Sequence, residues 1–548
     1  MASLAHLCTS NQAPTDDERA RLKETVADYD EKLAAITQKI SALEVQLRSL
    51  NEEKTATLEA SKLFKRALSP FRQLPEDVVR AIFVACLEWR CNPTMAKTEA
   101  PVLLTRISRA TRMIALTTPR LWAAIHIPII TSVQLEVMDT AKSVMNARAR
   151  GVKEWLLRRS GDLPLRISVY ETNYNGTQEL TSDVIDILIA CCSRWKNVHF
   201  TCRPTTLSGV LSLSRFDVPL LQSLAMYPTT FTPDEINLWK NSDILQSPML
   251  KKFGYLGFSN GVPPKYPVNW SNLTHLHCTD AMDNLVDVLR QAAALTTLNL
   301  TLERLEHAIP YSGTISLPCL TSLVIIQHCR PRGENMEILE SIYAPSLEAV
   351  CYDSMLDPPP RSPALIACLK RSPNVRELSM TRPSSADTLV EYLRHCPALL
   401  TLRVPPEDLM ITMEKLENPW SKADTDTFLR AFFQDDAAQC LCPQLEYFRY
   451  EAELVVSLRT LHDFLVHRKG GNPHLSSWKA VTLNVEYDPV EEPLIKEIES
   501  AEVAGNTRLM ISFQKRMSRW ENLGFKQLLP DLTYWRRLDV GHAQSSMI

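Results

Sequence analysis

Apolar residues in the first part of the chain fall at Leu22, Val26, Tyr29, Leu33, Ile36, Ile40, Leu43, Leu47 and Leu50, in alternating steps of four and three, and the pattern fails at Lys54. That alternation is the a/d seam of a left-handed coiled coil. With no Pro or Gly between Thr15 and Ser69, it predicts one long helix over 18–66, preceded by a disordered tail over 1–17. The seam is narrow and the opposite face is rich in Glu, Lys and Asp, so the expected use is homodimerisation; the other reading is a helix folded back on the body. Lys39 would attract Glu44 of a neighbour, whereas Lys32 would face Thr37 and Gln46 would face Asn51, so charge specifies the partner weakly.

The pattern changes over 67–127. Leu74-Pro75-Glu76-Asp77-Val78-Val79 opens a short helix, with Pro75 where a missing N–H costs nothing and Glu76 and Asp77 at the positive end of the dipole. Val78, Val79, Ile82 and Phe83 share one face. After a polar turn from Cys91 to Glu99, Leu103, Leu104, Ile107 and Ile114 recur at helical spacing, and Thr118-Pro119-Arg120-Leu121-Trp122 closes the stretch. A segment this short cannot complete its own core, so it reads as a docking module. Arg106, Arg109 and Arg112 step by three along the second helix and either meet an acidic partner or form a solvated face.

From Pro164 onward an apolar residue is followed repeatedly by others three and five positions later. The copies are Trp195-Val198-Phe200, Leu221-Leu224-Met226, Leu250-Phe253-Tyr255, Leu273-Leu276-Cys278, Leu295-Leu298-Leu300, Leu320-Leu323-Ile325, Leu347-Val350-Tyr352, Val375-Leu378-Met380, Leu399-Leu402-Val404 and Leu445-Phe448-Tyr450, with Ala480-Leu483-Val485 weaker. Up to Leu399 their starts lie 22 to 29 residues apart, enough for a strand, a helix and two turns. Proline stands two residues before the leading position at Pro219, Pro248, Pro318, Pro345, Pro373, Pro397 and Pro443, which marks a helix-to-strand corner. Helical stripes such as Val184-Ile187-Leu188-Cys191, Leu285-Val288-Leu289 and Leu389-Tyr392-Leu393 lie between strands. A largely helical insert is expected between Val404 and Cys440, with caps at Leu156–Tyr170 and Ile495–Trp535.

Composition narrows the function. The 548 residues are 45% hydrophobic and 22% charged, and 60 basic against 63 acidic residues leave −3, an ordinary globular balance with no footprint for nucleic acid or anionic lipid. No apolar run reaches membrane-span length and the N-terminus lacks a signal-peptide pattern, so an intracellular location, cytoplasm or nucleus, is expected. The cysteines show no disulfide framework or zinc spacing, and nucleotide and hydrolase motifs are missing; no catalytic residue, metal or cofactor is expected. His275 and His277 share one face of a predicted strand as a ligand pair or, without a third ligand, as structural residues. Tyr255, Phe258, Trp270, Thr274, Thr297 and Thr321 are candidates for ligand contact on the inner face of the array.

The 67–127 stretch resembles an F-box, in the form common in large families of mushroom-forming fungi, through Leu74, Pro75, Glu76, Val78, Ile82, Phe83, Pro101, Leu103, Leu104, Ala115, Leu116, Pro119, Leu121 and Trp122. Ile107-Ser108-Arg109-Ala110-Thr111 stands where the pattern has an apolar pair and then tryptophan, so a gap is expected there, to be filled by Thr111→Trp. The downstream array resembles the leucine-rich repeat in its strand half. These resemblances imply an α/β chain: an N-terminal coiled-coil helix, all-α F-box helices over 67–127, a helical linker or cap over 128–163, an irregular leucine-rich-repeat solenoid over 164–535 (a curved parallel sheet with outer helices), and a tail over 536–548. They imply a substrate-recognition subunit of a cullin-RING ubiquitin ligase. A Skp-type adaptor, and through it a cullin, would dock on Leu74, Pro75, Val78, Val79, Ile82, Phe83, Leu103, Leu104, Ile107, Leu121 and Trp122, and the array would hold a protein substrate. The alternative is a non-degradative interaction scaffold.

Overall fold

The structure is a computed structural model that describes residues 13–515, apart from 69, 89–90, 134–137, 174–177, 180–182, 228–241, 256–265, 280–284, 303–312, 328–336, 355–360, 406–419, 435–438, 468–473, 488–490, 492 and 504–507. It is mixed α/β, with a long N-terminal helix and a large parallel sheet, and divides into two compact units, Met1–Ile82 and Phe83–Ile548.

In the first unit, α1 runs from Asp16 to Ala67, close to the expected limits. Its start is set by a reciprocal cap: the Glu18 carboxylate accepts from the Thr15 N–H at 2.9 Å and from its hydroxyl at 2.7 Å, while Asp16, Asp17 and Glu18 place negative charge in the first turn. The seam from Val26 to Leu50 is exposed along its length, 50–62% for each side chain from Val26 on. Helix α2, Glu76–Ala85, spans the boundary between the units.

In the second unit the helical segment expected after Pro101 is broken. Leu103–Arg106 is a 3-10 turn, and α3, Arg109–Leu116, starts afresh after Ser108, whose backbone is extended. Arg106 and Arg109 therefore do not lie on one helix. The sheet begins at β1, Ala124–Val133, inside the stretch read as docking module and linker, and β2, Leu165–Asn173, is an interior strand rather than an end cap. Between them lies α4, Met138–Lys153. Two-residue β3, Gln178–Glu179, pairs antiparallel with β1 at the edge. Then follow β4 Trp195–Thr201, β5 Ser223–Met226, β6 Lys252–Tyr255, β7 His275–Thr279, β8 Thr297–Leu302, β9 Ile315–Ser316 and β10 Ser322–Gln327. The remaining strands are β11 Ile342–Tyr343, β12 Ala349–Ser354, β13 Glu377–Met380, β14 Thr401–Val404, β15 Tyr447–Val455, β16 Ala480–Tyr487 and β17 Arg508–Lys515. Apart from β9 and β11, which among the described residues pair only with each other, these strands extend the same sheet, each parallel to the next.

Register explains the spacing seen in the sequence. Ile125, Ile167, Val198, Leu224, Phe253, Leu276, Leu298, Leu323, Val350, Leu378, Leu402, Phe448, Val481 and Leu509 form one line across the sheet, and all but Leu509 are buried. The weaker copy is corrected by two residues: Val481, not Leu483, pairs with Phe448, so the triplet is Trp478-Val481-Leu483. The reason is packing, because the Trp478 ring lies 5.0 Å from Phe464 and 5.9 Å from Phe448 and belongs to the core.

Each proline corner is a β-turn with proline at its second position. The N–H of the leading apolar residue donates back to the carbonyl before proline, as from Leu221 to Val218 (3.1 Å), Leu347 to Ala344 (3.2 Å) and Leu445 to Cys442 (3.1 Å). Proline's fixed φ preorganises that turn. Just past each corner one carbonyl accepts two successive N–H groups of the next strand: Gln222 from Lys251 and Lys252, Thr321 from Glu348 and Ala349, Glu446 from Lys479 and Ala480. β14 pairs directly with β15, so the intervening segment adds no strand between them; its described part holds the helix Lys422–Arg430. The far cap is reached only in part, by the helix Pro493–Val503 and β17; residues 516–548 lie outside the described residues, as does Phe258.

Candidate functional site

Two surfaces qualify. The first is the docking stretch. On α2, Val78 and Ile82 expose 39% and 38%, Pro75 is exposed and Leu74 partly so, whereas Val79 and Phe83 are buried. In the second unit Leu103 (43%) and Ile107 (60%) are exposed and Leu104, Leu121 and Trp122 are buried. The expected contact residues thus divide. Leu121 and Trp122 have no accessible surface and cannot touch a partner in this conformation, and Val79, Phe83 and Leu104 keep 5% or less, so these five offer a partner almost no contact area.

Trp122 packs inside instead. Its indole N–H donates to the Ala115 carbonyl at 2.8 Å, its ring meets Trp155 edge-on at 4.7 Å, and the Arg159 guanidinium lies 4.7 Å over it. Trp155 in turn donates to the Ala124 carbonyl of β1 at 3.1 Å. The Thr-Pro-Arg-Leu-Trp close therefore joins α3 to the first strand of the sheet.

The expected gap at Thr111 is absent. Thr111 is buried, its N–H donates to the Ser108 hydroxyl at 3.1 Å and its hydroxyl accepts from the Ser108 N–H at 2.9 Å, a capping box that starts α3. Thr111→Trp would destroy this cap rather than fill a space. Ser108→Ala should cost about 1 kcal/mol of stability, read from a denaturant midpoint; no shift would mean that the cap is not holding the helix.

The second surface is the face of the sheet opposite the core line. On β7, His275 and His277 do share it. The structure adds partners that sequence reading missed. The rung His199–Ala225–Gly254–His277 crosses β4 to β7, and the small residues at its middle leave room for Tyr227. The Tyr227 ring lies edge-on to His199 at 4.7 Å, and its hydroxyl bonds His277 Nδ1 at 2.9 Å. His277 is 3% exposed and its Nε2 has no hydrogen-bond partner among the described residues. Towards the sheet edge the Ser168 hydroxyl lies 2.9 Å from His126 Nδ1 and accepts from the Asn92 amide at 3.1 Å. Burial pushes His199 and His277 down to about 4, and the neighbouring His126 and His277 add to the shift of His199. Burial and Lys252 hold His275 at about 4. These imidazoles are neutral at pH 7. One signal for the cluster was present: His199 and His277 each stand between the second and third apolar positions of a copy.

Tyr255 and Trp270 are buried in the core, so they are not contact residues. The Thr274 and Thr321 hydroxyls donate to the corner carbonyls of Lys251 and Thr296 at 3.2 and 3.0 Å, a structural use. Further along the face, from β12 to β15, charge takes over: Glu377, Arg403 and Arg449 are exposed, and Arg403 pairs with Glu451 at 3.2 Å. Among the described residues no group of three or more His, Cys, Asp or Glu side chains is placed to hold a metal, and no helix is long and apolar enough to cross a membrane. No family model matches the chain, and no curated protein matches its sequence significantly.

Proposed function

We propose that this chain is the substrate-recognition subunit of a cullin-RING ubiquitin ligase, with the 67–127 stretch acting as an F-box and the sheet as an irregular leucine-rich-repeat array. The observation that carries the reading is that apolar side chains stay exposed in each part of the docking stretch, Val78 and Ile82 in the first unit and Leu103 and Ile107 in the second. Exposed apolar groups of this kind mark a protein partner, here a Skp-type adaptor that leads to a cullin. The polar face of the sheet then offers a protein substrate a neutral half, with the half-buried His199 and Tyr227 held over the buried His277, and a charged half, with Glu377, Arg403 and Arg449. Catalysis in such a complex is proximity, since holding an acceptor lysine near the charged ubiquitin carrier raises its effective concentration.

Co-purification tests this. The tagged chain should recover a Skp-type adaptor, and Val78→Asp with Ile107→Asp should weaken that binding at least about tenfold, the equivalent of 1.4 kcal/mol, with the unfolding midpoint unchanged because both side chains are exposed. Recovery of no adaptor, or binding indifferent to both substitutions, would leave the chain as a scaffold outside the ligase.

A further inference from the structure

We propose that the exposed seam of α1 is covered by the same seam of a second copy of this chain, parallel and in register. The proposal stands apart from the adaptor reading and rests on geometry and charge along one helix. α1 has 52 residues, about 78 Å at 1.5 Å per residue, and its apolar stripe keeps half or more of each side chain from Val26 to Leu50 at the surface. Val26, Leu33, Ile40 and Leu47 take the a positions and Leu22, Tyr29, Ile36, Leu43 and Leu50 the d positions. β-branched residues at a with leucine at d favour two parallel strands; half of the a positions and three of the five d positions follow that rule, so charge carries the choice of orientation.

Charge decides the orientation. One flank of the seam carries Glu18, Lys32 and Lys39, the other Lys23, Asp30 and Glu44. In a parallel, in-register pair the first flank of one helix meets the second flank of its partner, five residues on, which sets Lys39 against Glu44 and Glu18 against Lys23 and opposes no like charges. In an antiparallel pair each flank meets its own kind, which takes Lys39 away from Glu44 and sets it against Lys32 or Lys39 of the second copy in the registers that keep the seam overlapped. The ion pairs within the helix agree. Lys32, which would face an uncharged Thr37, is tied to Asp28 at 2.5 Å. Among the described residues Lys39 and Glu44 have no ion-pair partner on their own helix. Parallel pairing also brings the two Ala67 ends together, so both docking helices leave the seam at the same end.

The test is sedimentation equilibrium on the full chain at micromolar concentration. The expected mass is twice the 62.1 kDa of one chain. Ile36→Glu with Ile40→Glu should give monomer with the unfolding midpoint of the sheet unit unchanged. Lys39→Glu should weaken the dimer several-fold, and adding Glu44→Lys should restore it. A monomeric native chain, an assembly of three or more chains, or a dimer that survives the glutamates overturns the proposal; so does a dimer tightened by Lys39→Glu, which would mean antiparallel pairing. Adaptor recovery from the same samples is a separate readout, so failure of the ligase reading leaves each of these outcomes unaltered.

Discussion

Replacing Trp122 by alanine is expected to cost the second unit about 4 kcal/mol, since truncating a buried tryptophan removes its transfer free energy and leaves a cavity. The site gives little scope for relaxation. Trp122 has no exposed surface, and its ring is held by Trp155 on one side and Arg159 on another. Its N–H donates to the Ala115 carbonyl, which keeps backbone N–H partners at the end of α3 when the indole is removed, so the loss is one of packing. Against a total stability of about 5–15 kcal/mol, the change is large. Denaturant unfolding of Trp122→Ala and Trp122→Phe checks it: phenylalanine should keep part of the packing and lose the hydrogen bond, so its deficit should fall between wild type and alanine. A loss below about 1 kcal/mol for alanine would mean that α3 is not anchored to the sheet through this residue. Adaptor binding should fall with stability in Trp122→Ala but not in Val78→Asp, because the first removes a support and the second a contact.

The second large effect is acid sensitivity. His199 and His277 ordinarily titrate near 6.5 and are held at about 4 in the fold. For a base whose pKa is lowered by folding, the unfolded chain binds the proton first as pH falls. Their contribution is therefore fully present above about pH 6.5 and is lost progressively down to about pH 4. At 1.36 kcal/mol per pH unit, the loss is up to about 3 kcal/mol for each, and less if water enters beside Tyr227. His275, also held at about 4, adds to the same window with a smaller weight because it is less buried. Unfolding midpoints measured from pH 7.5 to 4 should fall most steeply below 6.5, and His199→Gln with His277→Gln should flatten that slope. An equal slope in the double variant would remove these imidazoles as its cause.

Much of the architecture was legible because it repeats. A strand that buries one side must place apolar residues two apart, and a parallel sheet built from similar units must return them at similar intervals; Leu298, Leu323 and Val350 could be aligned without coordinates. The proline corners were visible for the same reason. What was not legible depended on which neighbour a residue meets. Ser108 and Thr111 read as a missing tryptophan until their reciprocal hydrogen bonds showed a helix cap. Trp122 read as a contact residue and proved to be an internal anchor, and the sheet's start at Ala124 was hidden because Ile125-His126-Ile127 is too short a signal without the pairing to β2.

By itself the sequence determined the long helix, its seam, the strand positions and the corners, because each is set by local periodicity and by backbone chemistry acting over a few residues. Only the tertiary structure decided which apolar residues of the docking stretch stay at the surface, and that His199, Tyr227 and His277 meet across four strands. Burial and side-chain contact depend on segments far apart in the chain, and the register that brings those segments together is written in no single one of them.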